Sequence, residues 1–402
     1  MVTIRDVEVI LTAPAGSNLV VVKVHTSEPG LYGLGCATFT QRYLAVRAAV
    51  LEHLKPLVLG RDVDRIEDLW HTMMVNGYWR NGPVLNNAIA GLDIALWDIK
   101  GKRAGMPLYD LLGGRCRPAA AVYRHADGQD VKQVEDRVRA FAESGVGHIR
   151  VQMSGYGGAA IAPAVPEAVP PAAHATALYD PRRYTRSALA VLEHIRGVFG
   201  DRLEIIHDVH ERLTPTLAVE FARECEKLRL FYLEDALAPE DLEWFARLRQ
   251  VCTTPLAMGE LFNHPREWTP LITGQQIDYL RMHLTQMGGL TPARKVTAMA
   301  ELHGIRTAWH GPGDVSPVGH ALNVHLDLAS PNFGIQEFCG FPPAIYEAFP
   351  GAPEQRGGLL YVSDRPGLGV DLDEKQAARY PCNPGVVTWT QCRWPDGSPA
   401  RP

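Results

Sequence analysis

Three acidic residues recur at equal intervals near the middle of the chain, each closing a short apolar run. They are Asp208, Glu234 and Glu260, and neighbouring members of the set lie 26 residues apart. An interval of that length accommodates one strand and one helix, so the three side chains are expected at the same height on successive strands. Carboxylates placed so close together repel one another unless a cation lies between them. The set predicts a Mg²⁺ site, because this hard cation prefers oxygen ligands.

Histidines and a further acid accompany this set. His210 lies two residues after Asp208, where an extended chain would turn both side chains to the same side. His310 and Glu337 end later apolar runs, and His125 follows an earlier one. A single acid or histidine in such a place is often a helix cap or a packed structural residue. Several of them around one mouth indicate a catalytic site instead.

A cation held by carboxylates suits one kind of reaction in particular. A proton next to a carboxylate is only weakly acidic, and its removal gives that carboxylate a second negative charge. Mg²⁺ stabilises this charge while a nearby base takes the proton. A general acid can then expel a hydroxyl group from the neighbouring carbon. The residues predict proton abstraction beside a carboxylate and leave racemisation, cycloisomerisation and dehydration open.

The elements that must position these residues follow from the apolar pattern of residues 119–345. Short apolar runs alternate there with amphipathic helical segments, which predicts an α/β fold whose parallel strands close as a (β/α)8 TIM barrel. A doubly wound open sheet is the alternative, although no GxGxxG motif follows the first strand. The predicted strands are 120–124, 148–152, 203–207, 231–234, 256–259, 279–283, 307–310 and 334–337. The predicted helices include 131–144, 187–199, 217–227, 242–251 and 291–303.

Residues 1–118 show strand patterns first and helical patterns after them, which predicts an α+β domain. A prominent helix is expected to start at a cap on Asn86 or Asn87 and to end at Gly101. The other expected elements are strands near 1–9 and 19–25 and helices over 43–54 and 65–74.

Two segments lie outside the regular pattern. Residues 155–181 are rich in Pro, Ala and Gly and follow the second barrel strand, at the end of a barrel where active sites form. A loop of this length is often functional, so we expect a lid over the site or, alternatively, an inert insertion. Residues 346–402, rich in Pro and Gly, are expected to form a tail that packs back on the cap and the barrel.

Composition argues against several other classes of protein. Hydrophobic residues make up 46% of the 402 residues and charged residues 21%, which is typical of a globular chain. The net charge of −5 comes without runs of like charge, which argues against nucleic-acid binding, and no apolar run approaches the roughly 18 residues of a membrane span. Seven scattered cysteines and the lack of a signal-peptide pattern predict reduced thiols in a cytoplasmic protein.

The chain resembles a known family from about residue 3 to about residue 385. The helix over 88–101, the three acids and His310 resemble the mandelate racemase-like branch of the enolase superfamily. Four further motifs resemble its D-mannonate dehydratase group of acid-sugar dehydratases. These motifs are residues 78–83 (YWRNGP), 207–215 (HDVHERLTP), 310–317 (HGPGDVSP) and 331–337 (PNFGIQE). The resemblance implies an N-terminal α+β capping domain, a modified (β/α)8 barrel, and Mg²⁺ held by Asp208, Glu234 and Glu260.

The resemblance also implies roles for other residues. His210 is implied to be the general acid that helps a 3-hydroxyl group to leave, and Arg150 to belong to the pair that abstracts the proton. Thr40, in a loop of the capping domain, stands where many members of the group carry an amide side chain. The residues implied to contact the hydroxyls and carboxylate of the substrate, with His310 also catalytic, are His125, Arg281, His310, Asp314 and Glu337.

The catalytic base is the point at which this sequence departs from the pattern of the group. The group places a tyrosine base about a dozen residues after Arg150, where this chain has Ala162. Tyr156 is the nearest tyrosine, and a guanidinium beside its phenol would lower the phenol pKa and make it a plausible base. Alternatively, Tyr156 anchors the lid. Pro312 resembles members of the group that are inefficient or prefer gluconate. The last tryptophan, Trp394, is not terminal as it is in many such tails.

The leading hypothesis is a Mg²⁺-dependent acid-sugar dehydratase of the D-mannonate or D-gluconate class that yields a 2-keto-3-deoxy acid. One alternative is a racemase or epimerase that uses the Arg150/Tyr156 side and His310 as opposed bases. The other is a catalytically silent relative that binds an acid metabolite, because Ala162 replaces the base. The expected partners are an acid sugar and further copies of the chain in a homo-oligomer.

Overall fold

The structure is a computed structural model that describes residues 1–153, 179–385, 392–394 and 396–401. The predicted lid and the residues Tyr156 and Ala162 lie largely or wholly outside this part of the chain, so what was predicted for them stays a prediction. All seven cysteines lie within it, and each is a free thiol, as expected. In the described ranges, no helix combines the length and the apolar character that a membrane crossing requires.

Strands precede helices at the start of the chain, and the two alternate afterwards, as predicted. The first elements are β1 (Ile4–Thr12), β2 (Leu19–Thr26), β3 (Tyr32–Cys36), α1 (Tyr43–Ala48), α2 (Lys55–Val58), α3 (Ile66–Asn76), α4 (Pro83–Ala104) and α5 (Leu108–Leu111). They are followed by β4 (Ala120–Gly128), α6 (Val131–Glu143), β5 (His148–Met153), α7 (Pro181–Phe199), β6 (Glu204–Asp208), α8 (Pro215–Cys225), β7 (Tyr232–Glu234), α9 (Glu243–Val251), β8 (Leu256–Met258), α10 (Pro265–Thr273) and β9 (Tyr279–Leu280). The last are α11 (Leu290–Leu302), β10 (Arg306–Thr307), α12 (Pro317–Ala329), β11 (Gln336–Glu337), α13 (Pro343–Ala348), β12 (Glu354–Arg356), β13 (Leu359–Tyr361) and α14 (Glu374–Ala377).

The chain divides into two compact units. The first unit comprises Met1–Ala121, Glu260–Trp268 and Arg281–Pro384, and the second comprises Val122–Gly259, Thr269–Leu280 and Gly385–Pro402. The first unit opens with an antiparallel sheet in the order β1-β2-β3, against which α4 packs. The domain boundaries expected near residues 118 and 345 stay predictions.

Helix α4 begins earlier than the sequence predicts. Its first residue is Pro83, whose fixed backbone angle suits the first turn of a helix, and the predicted caps Asn86 and Asn87 lie inside it. The Asn86 amide donates to the backbone carbonyls of Asn263 and Gln286, at 2.7 and 2.8 Å. Asn86 is therefore a buried tertiary contact, which a local capping pattern cannot distinguish from a helix start.

The same helix continues past its predicted end at Gly101. A Cβ atom at Gly101 would lie 2.7 Å from the Cα of Gly367, so a glycine is needed there for the close approach of another backbone segment. The helix ends instead at Ala104, before Gly105, whose φ of 66° is the left-handed conformation that commonly closes helices.

Parallel strands in sequence order form the sheet of the second unit. Each strand from β4 to β9 pairs in parallel with the next one along the chain. A doubly wound sheet reverses its strand order partway, whereas a (β/α) barrel keeps it. The observed order agrees with the predicted barrel.

The later strands are shorter than predicted, and helix α12 was not predicted from the sequence. β9 and β10 contain two residues each, so the chain leaves the predicted strands 279–283 and 307–310 before it reaches His283 and His310. Helix α12 buries every residue from Pro317 to Leu328. Because it has no polar face, its sequence lacks the helical period on which such predictions rest.

The part of the tail that belongs to the first unit packs on its N-terminal sheet. The Thr12 hydroxyl donates to the carbonyl of Ala377 at 2.8 Å. Asn18 and Asn383 exchange two hydrogen bonds of 2.7 Å each. Side chains near the start of the chain therefore hold this section of the tail through its backbone groups.

A buried acid joins α4 to α11. Asp93 is fully buried, and its carboxylate accepts hydrogen bonds from the backbone N–H and the hydroxyl of Thr291 at the start of α11. Burial raises the pKa of Asp93 to about 7, although the Thr291 hydrogen bonds act in the opposite direction. The folded protein thus keeps a proton here that the unfolded chain loses near pH 4.

This difference predicts how stability depends on pH. Because the folded pKa lies above the unfolded one, the free energy of unfolding falls as pH rises from about 4 to about 7, by at most roughly 1.4 kcal/mol per pH unit. Asp93→Asn cannot titrate, so its stability relative to the native protein should rise between pH 5 and pH 7 in urea unfolding. Asp136→Asn, at an exposed position, is the control. A difference that stays constant from pH 5 to pH 8 would contradict this account.

Candidate active site

Two of the predicted acids lie side by side in the second unit. Asp208 is the last residue of β6 and Glu234 the last of β7, and the parallel register pairs them. Both are buried, at 1% and 0% exposure. Their carboxylates and that of Asp235 can each offer an oxygen atom within 4.8 Å of the others. Three buried carboxylates so close together form a site suited to a cation.

Asp235 is a member of this group that the sequence reasoning missed. It follows β7 with φ of 42°, and its backbone N–H donates to the carbonyl of Ala257 at 3.0 Å. The adjacent pair Glu234-Asp235 was a visible signal. The 26-residue spacing selects Glu234 alone, and consecutive side chains of an extended strand face opposite sides, so neither pattern predicts Asp235 in the site.

Arg150 supplies positive charge next to these acids. It lies on β5, is 2% exposed, and donates from Nη1 to Oδ2 of Asp208 at 3.0 Å. Its Nη2 lies 3.4 Å from Asp127 Oδ1. The structure therefore brings Arg150 to the predicted acids. Its predicted partner Tyr156 lies outside the described residues.

His210 reaches this region by a route that the sequence reasoning did not predict. The chain is not extended between Asp208 and His210, because β6 ends at Asp208 and both His210 and Glu211 adopt left-handed conformations, with φ of 57° and 55°. The backbone N–H of His210 donates to Asp208 Oδ1 at 2.7 Å. Left-handed backbone at non-glycine residues costs of order 1 kcal/mol each, and here two such residues in succession follow directly after Asp208.

A histidine beneath Asp208 has a defined tautomer. The Nδ1 atom of His207 lies 2.8 Å from the carbonyl oxygen of Val151. A carbonyl oxygen can only accept a hydrogen bond, so Nδ1 carries the hydrogen. Its Nε2 then accepts from the Tyr184 hydroxyl at 2.8 Å. Burial lowers the pKa of His207, which keeps the ring neutral. This histidine supports the strand that carries Asp208.

Four other predicted residues come together in the first unit. Arg281, 1% exposed, donates to Oε2 of Glu260 and Oε2 of Glu337, each at 2.5 Å. The Nε2 atom of His310 lies 3.3 Å from Glu260 Oε2, and the backbone N–H of Gly311 donates to Glu337 at 2.8 Å. One guanidinium therefore holds two carboxylates beside an imidazole.

Asp314 is also part of the first unit. The residue is partly exposed, but its Oδ1 atom is buried and finds no hydrogen-bond partner among the described residues. Burial, together with the charges of Glu260 and Glu337, raises the pKa of Asp314 to about 7. Its carboxyl group is therefore poised to change protonation state near neutral pH.

The remaining predicted residues have simpler surroundings. Thr40 donates its hydroxyl to the carbonyl of Asn18 at 3.2 Å in the first unit. His125, on β4 in the second unit, stacks on the ring of Tyr123 at 5.7 Å. The substrate roles of Thr40 and His125 stay predictions.

The sequence reasoning also missed a buried histidine next to His310. The Nδ1 atoms of His283 and His310 are 2.7 Å apart, and His283 is 4% exposed. Its position two residues after Arg281 was the available signal. This spacing alone does not distinguish His283 from a packed structural histidine.

Two family models match the chain. The mandelate racemase/muconate lactonizing enzyme N-terminal domain matches residues 2–113, and the enolase C-terminal domain-like model matches residues 129–376. A D-galactonate dehydratase family member from Salmonella enteritidis is 52% identical over an aligned length of 412 residues. The alignment covers 99% of this chain and 98% of the relative. Another, from Enterococcus gallinarum, is 52% identical over 400 residues with coverage of 99% and 98%.

Solved structures are similar as well. The crystal structure of an enolase from Pantoea ananatis with bound D-gluconate and Mg has a TM-score of 0.97, 51% sequence identity and 100% coverage of both chains. A putative dehydratase protein from Salmonella typhimurium has a TM-score of 0.83 at 25% identity, with coverage of 94% of this chain and 98% of the other.

The Arg281 arrangement leads to a prediction about stability. Arg281→Met leaves two carboxylates without their shared cation, and breaking a buried ion pair on one side costs about 3–5 kcal/mol. We expect a loss of that size in urea unfolding of the metal-free protein. Arg356→Met, which removes an exposed arginine paired with Glu354, should change stability by about 0.5 kcal/mol or less. Equal effects of the two substitutions would show that Arg281 does not balance the buried acids.

Proposed function

The chain belongs to the mandelate racemase/muconate lactonizing enzyme family of the enolase superfamily, and we propose that it is a Mg²⁺-dependent acid-sugar dehydratase. Membership confirms the predicted resemblance and the predicted fold of a capping domain with a modified (β/α)8 barrel. The observation that carries the proposal is the buried pair Asp208 and Glu234 at the ends of neighbouring parallel strands.

Mg²⁺ fits the donors that the chain offers. Asp208 and Glu234 provide buried carboxylate oxygens, and we propose Glu260 as the third ligand because it follows at the same interval along the sequence. Asp235 is the alternative third ligand. When bound, Mg²⁺ offsets the negative charge that the substrate carboxylate gains as C2 loses its proton.

We propose that His210 acts as the general acid. The C2 proton passes to a base, the bond between C3 and its hydroxyl oxygen breaks, and that oxygen leaves as water with a proton from His210. The enol that remains becomes a 2-keto-3-deoxy acid. The hydrogen bond from the backbone N–H of His210 to Asp208 supports this role, because it fixes the histidine backbone beside a proposed metal ligand.

Arg150 and Tyr156 are proposed as the pair that takes the C2 proton. The guanidinium of Arg150 is buried and held by Asp208, so its positive charge has a fixed position. A cation close to a phenol lowers the phenol pKa, which would allow Tyr156 to act as a base near neutral pH. Residues His125, Arg281, Asp314, Glu337 and Thr40 are proposed to contact the hydroxyls and carboxylate of the substrate.

The proposed substrates are six-carbon sugar acids. The Pantoea ananatis relative holds D-gluconate, and other relatives are named as D-galactonate dehydratase family members. We propose D-gluconate, with D-mannonate as the second candidate. We also propose that the enzyme is a cytoplasmic homo-oligomer.

Incubation with a panel of sugar acids tests the reaction. Purified protein with Mg²⁺ should convert D-gluconate or D-mannonate, with D-galactonate as a third member of the panel, to a 2-keto-3-deoxy acid. Entry of solvent deuterium at C2 without loss of water would show a racemase or epimerase instead. Calorimetric binding of a sugar acid without any turnover by the Mg²⁺-loaded protein would show a silent binding protein.

The metal site has a separate test. Glu234→Gln removes one charged oxygen ligand, so it should abolish Mg²⁺ binding in calorimetry, or nearly so, and with it any dehydration. Glu243→Gln, at an exposed position on α9, is the matched control and should bind Mg²⁺ like the native protein. Unchanged Mg²⁺ affinity in Glu234→Gln would place the metal elsewhere.

A further inference from the structure

His283 forms a direct pair with His310 in the first unit. It lies between β9 and α11, its Nδ1 is 2.7 Å from Nδ1 of His310, and the two ring centroids are 4.8 Å apart. Two imidazole nitrogens at this distance share one hydrogen, so one ring donates and the other accepts. Which ring donates decides what the opposite nitrogen of His310 can do.

The other side of His310 settles the direction of this bond. Its Nε2 lies 3.3 Å from Oε2 of Glu260 and 4.0 Å from Oε2 of Glu337. Ionised carboxylates only accept hydrogen bonds, so a bare Nε2 would turn its lone pair toward their negative charge. Nε2 therefore carries the hydrogen. A neutral His310 then has a bare Nδ1, which must accept from His283.

The surroundings of His283 agree with this assignment. Its Nε2 is buried and finds no hydrogen-bond partner among the described residues. If His283 donates from Nδ1, this atom is a bare acceptor, and an unsatisfied buried acceptor is less rare than an unsatisfied N–H. Burial and the neighbouring His310 lower the pKa of His283 well below its ordinary value, which keeps the ring neutral.

We propose that His283 is a positioning residue that donates its Nδ1–H to His310 and so holds His310 as the Nε2–H tautomer. Its importance for catalysis rests on the proposed function. In that reaction, His310 presents an N–H to an oxygen of the substrate as a hydrogen-bond donor. It cannot accept the C2 proton at Nε2, the nitrogen beside Glu260 and Glu337, because this atom already carries a hydrogen.

This assignment separates the proposed reaction from racemisation. A racemase or epimerase of the kind considered above needs His310 as a second base opposite the Arg150/Tyr156 side. Dehydration needs only one base at C2, with a general acid at the leaving hydroxyl. A tautomer that makes His310 a donor therefore serves elimination of water and works against inversion at C2.

The tautomer can be read directly in the metal-free protein without substrate. In long-range ¹H–¹⁵N spectra at pH 8 of protein labelled with [¹⁵N]histidine, His310 should show a protonated Nε2 and a bare Nδ1, and His283 the reverse. Loss of signals in His310→Gln and His283→Asn assigns the two rings. A bare Nε2 on His310, or hydrogens on both of its nitrogens, would overturn the proposal. Because this readout needs no turnover, its outcome is independent of the proposed dehydration.

Variants extend the test to catalysis. His283→Leu removes the donor and should lower kcat by about 10- to 100-fold, the range known for hydrogen-bond partners that orient histidines in metal sites, with Mg²⁺ affinity unchanged. His283→Asn places an amide N–H near the position of Nδ1 and should restore most of kcat and the His310 tautomer. Activity unchanged in a folded His283→Leu, or lost there without rescue by a folded His283→Asn, would show that the hydrogen bond from His283 is not what supports catalysis. If His283→Leu does not fold, the spectrum of the native protein still shows which nitrogen of His310 carries the hydrogen and so tests the proposal.

Discussion

Like charges held close together out of water are the constraint on which this site depends. In the second unit, Asp208 and Glu234 are paired at the ends of adjacent strands, and both are buried, so solvent screens their charges little. In the first unit, Glu260 and Glu337 share one guanidinium. Buried ion pairs rarely stabilise a fold more than apolar side chains of the same size would, since desolvation offsets the Coulomb attraction. Such clusters are therefore better explained by chemistry than by stability.

Arg281 and Arg150 bind their carboxylate partners in different ways. Arg281 binds both of its carboxylates at 2.5 Å and fixes their orientation. Arg150 binds one oxygen of Asp208 at 3.0 Å, while the other oxygen accepts the backbone N–H of His210. The proposed metal ligand and the proposed general acid are thus held in one hydrogen-bonded chain.

Residues placed by regular strand geometry could be predicted from the sequence, whereas residues placed by local turns or tertiary contacts could not. Asp208 and Glu234 could be predicted because parallel strands place equivalent positions side by side, whatever the loops do. His210 was expected on an extended chain, but its backbone N–H turns back to the Asp208 carboxylate and its φ is left-handed, a local turn that strand alternation does not predict. Helix α12 was hidden by its burial on all sides. His283 was hidden because its significance comes from a partner 27 residues away.

The central claim is that Mg²⁺ on the strand-end carboxylates makes the chain a sugar-acid dehydratase. The most direct measurement follows Mg²⁺ binding and formation of the 2-keto-3-deoxy acid in the same titration of metal-free protein with D-gluconate present. The account predicts a single Mg²⁺ ion per chain and a rate that rises in proportion to occupancy. Turnover that persists at full rate in excess chelator, or full Mg²⁺ occupancy without product from any sugar acid, would contradict it.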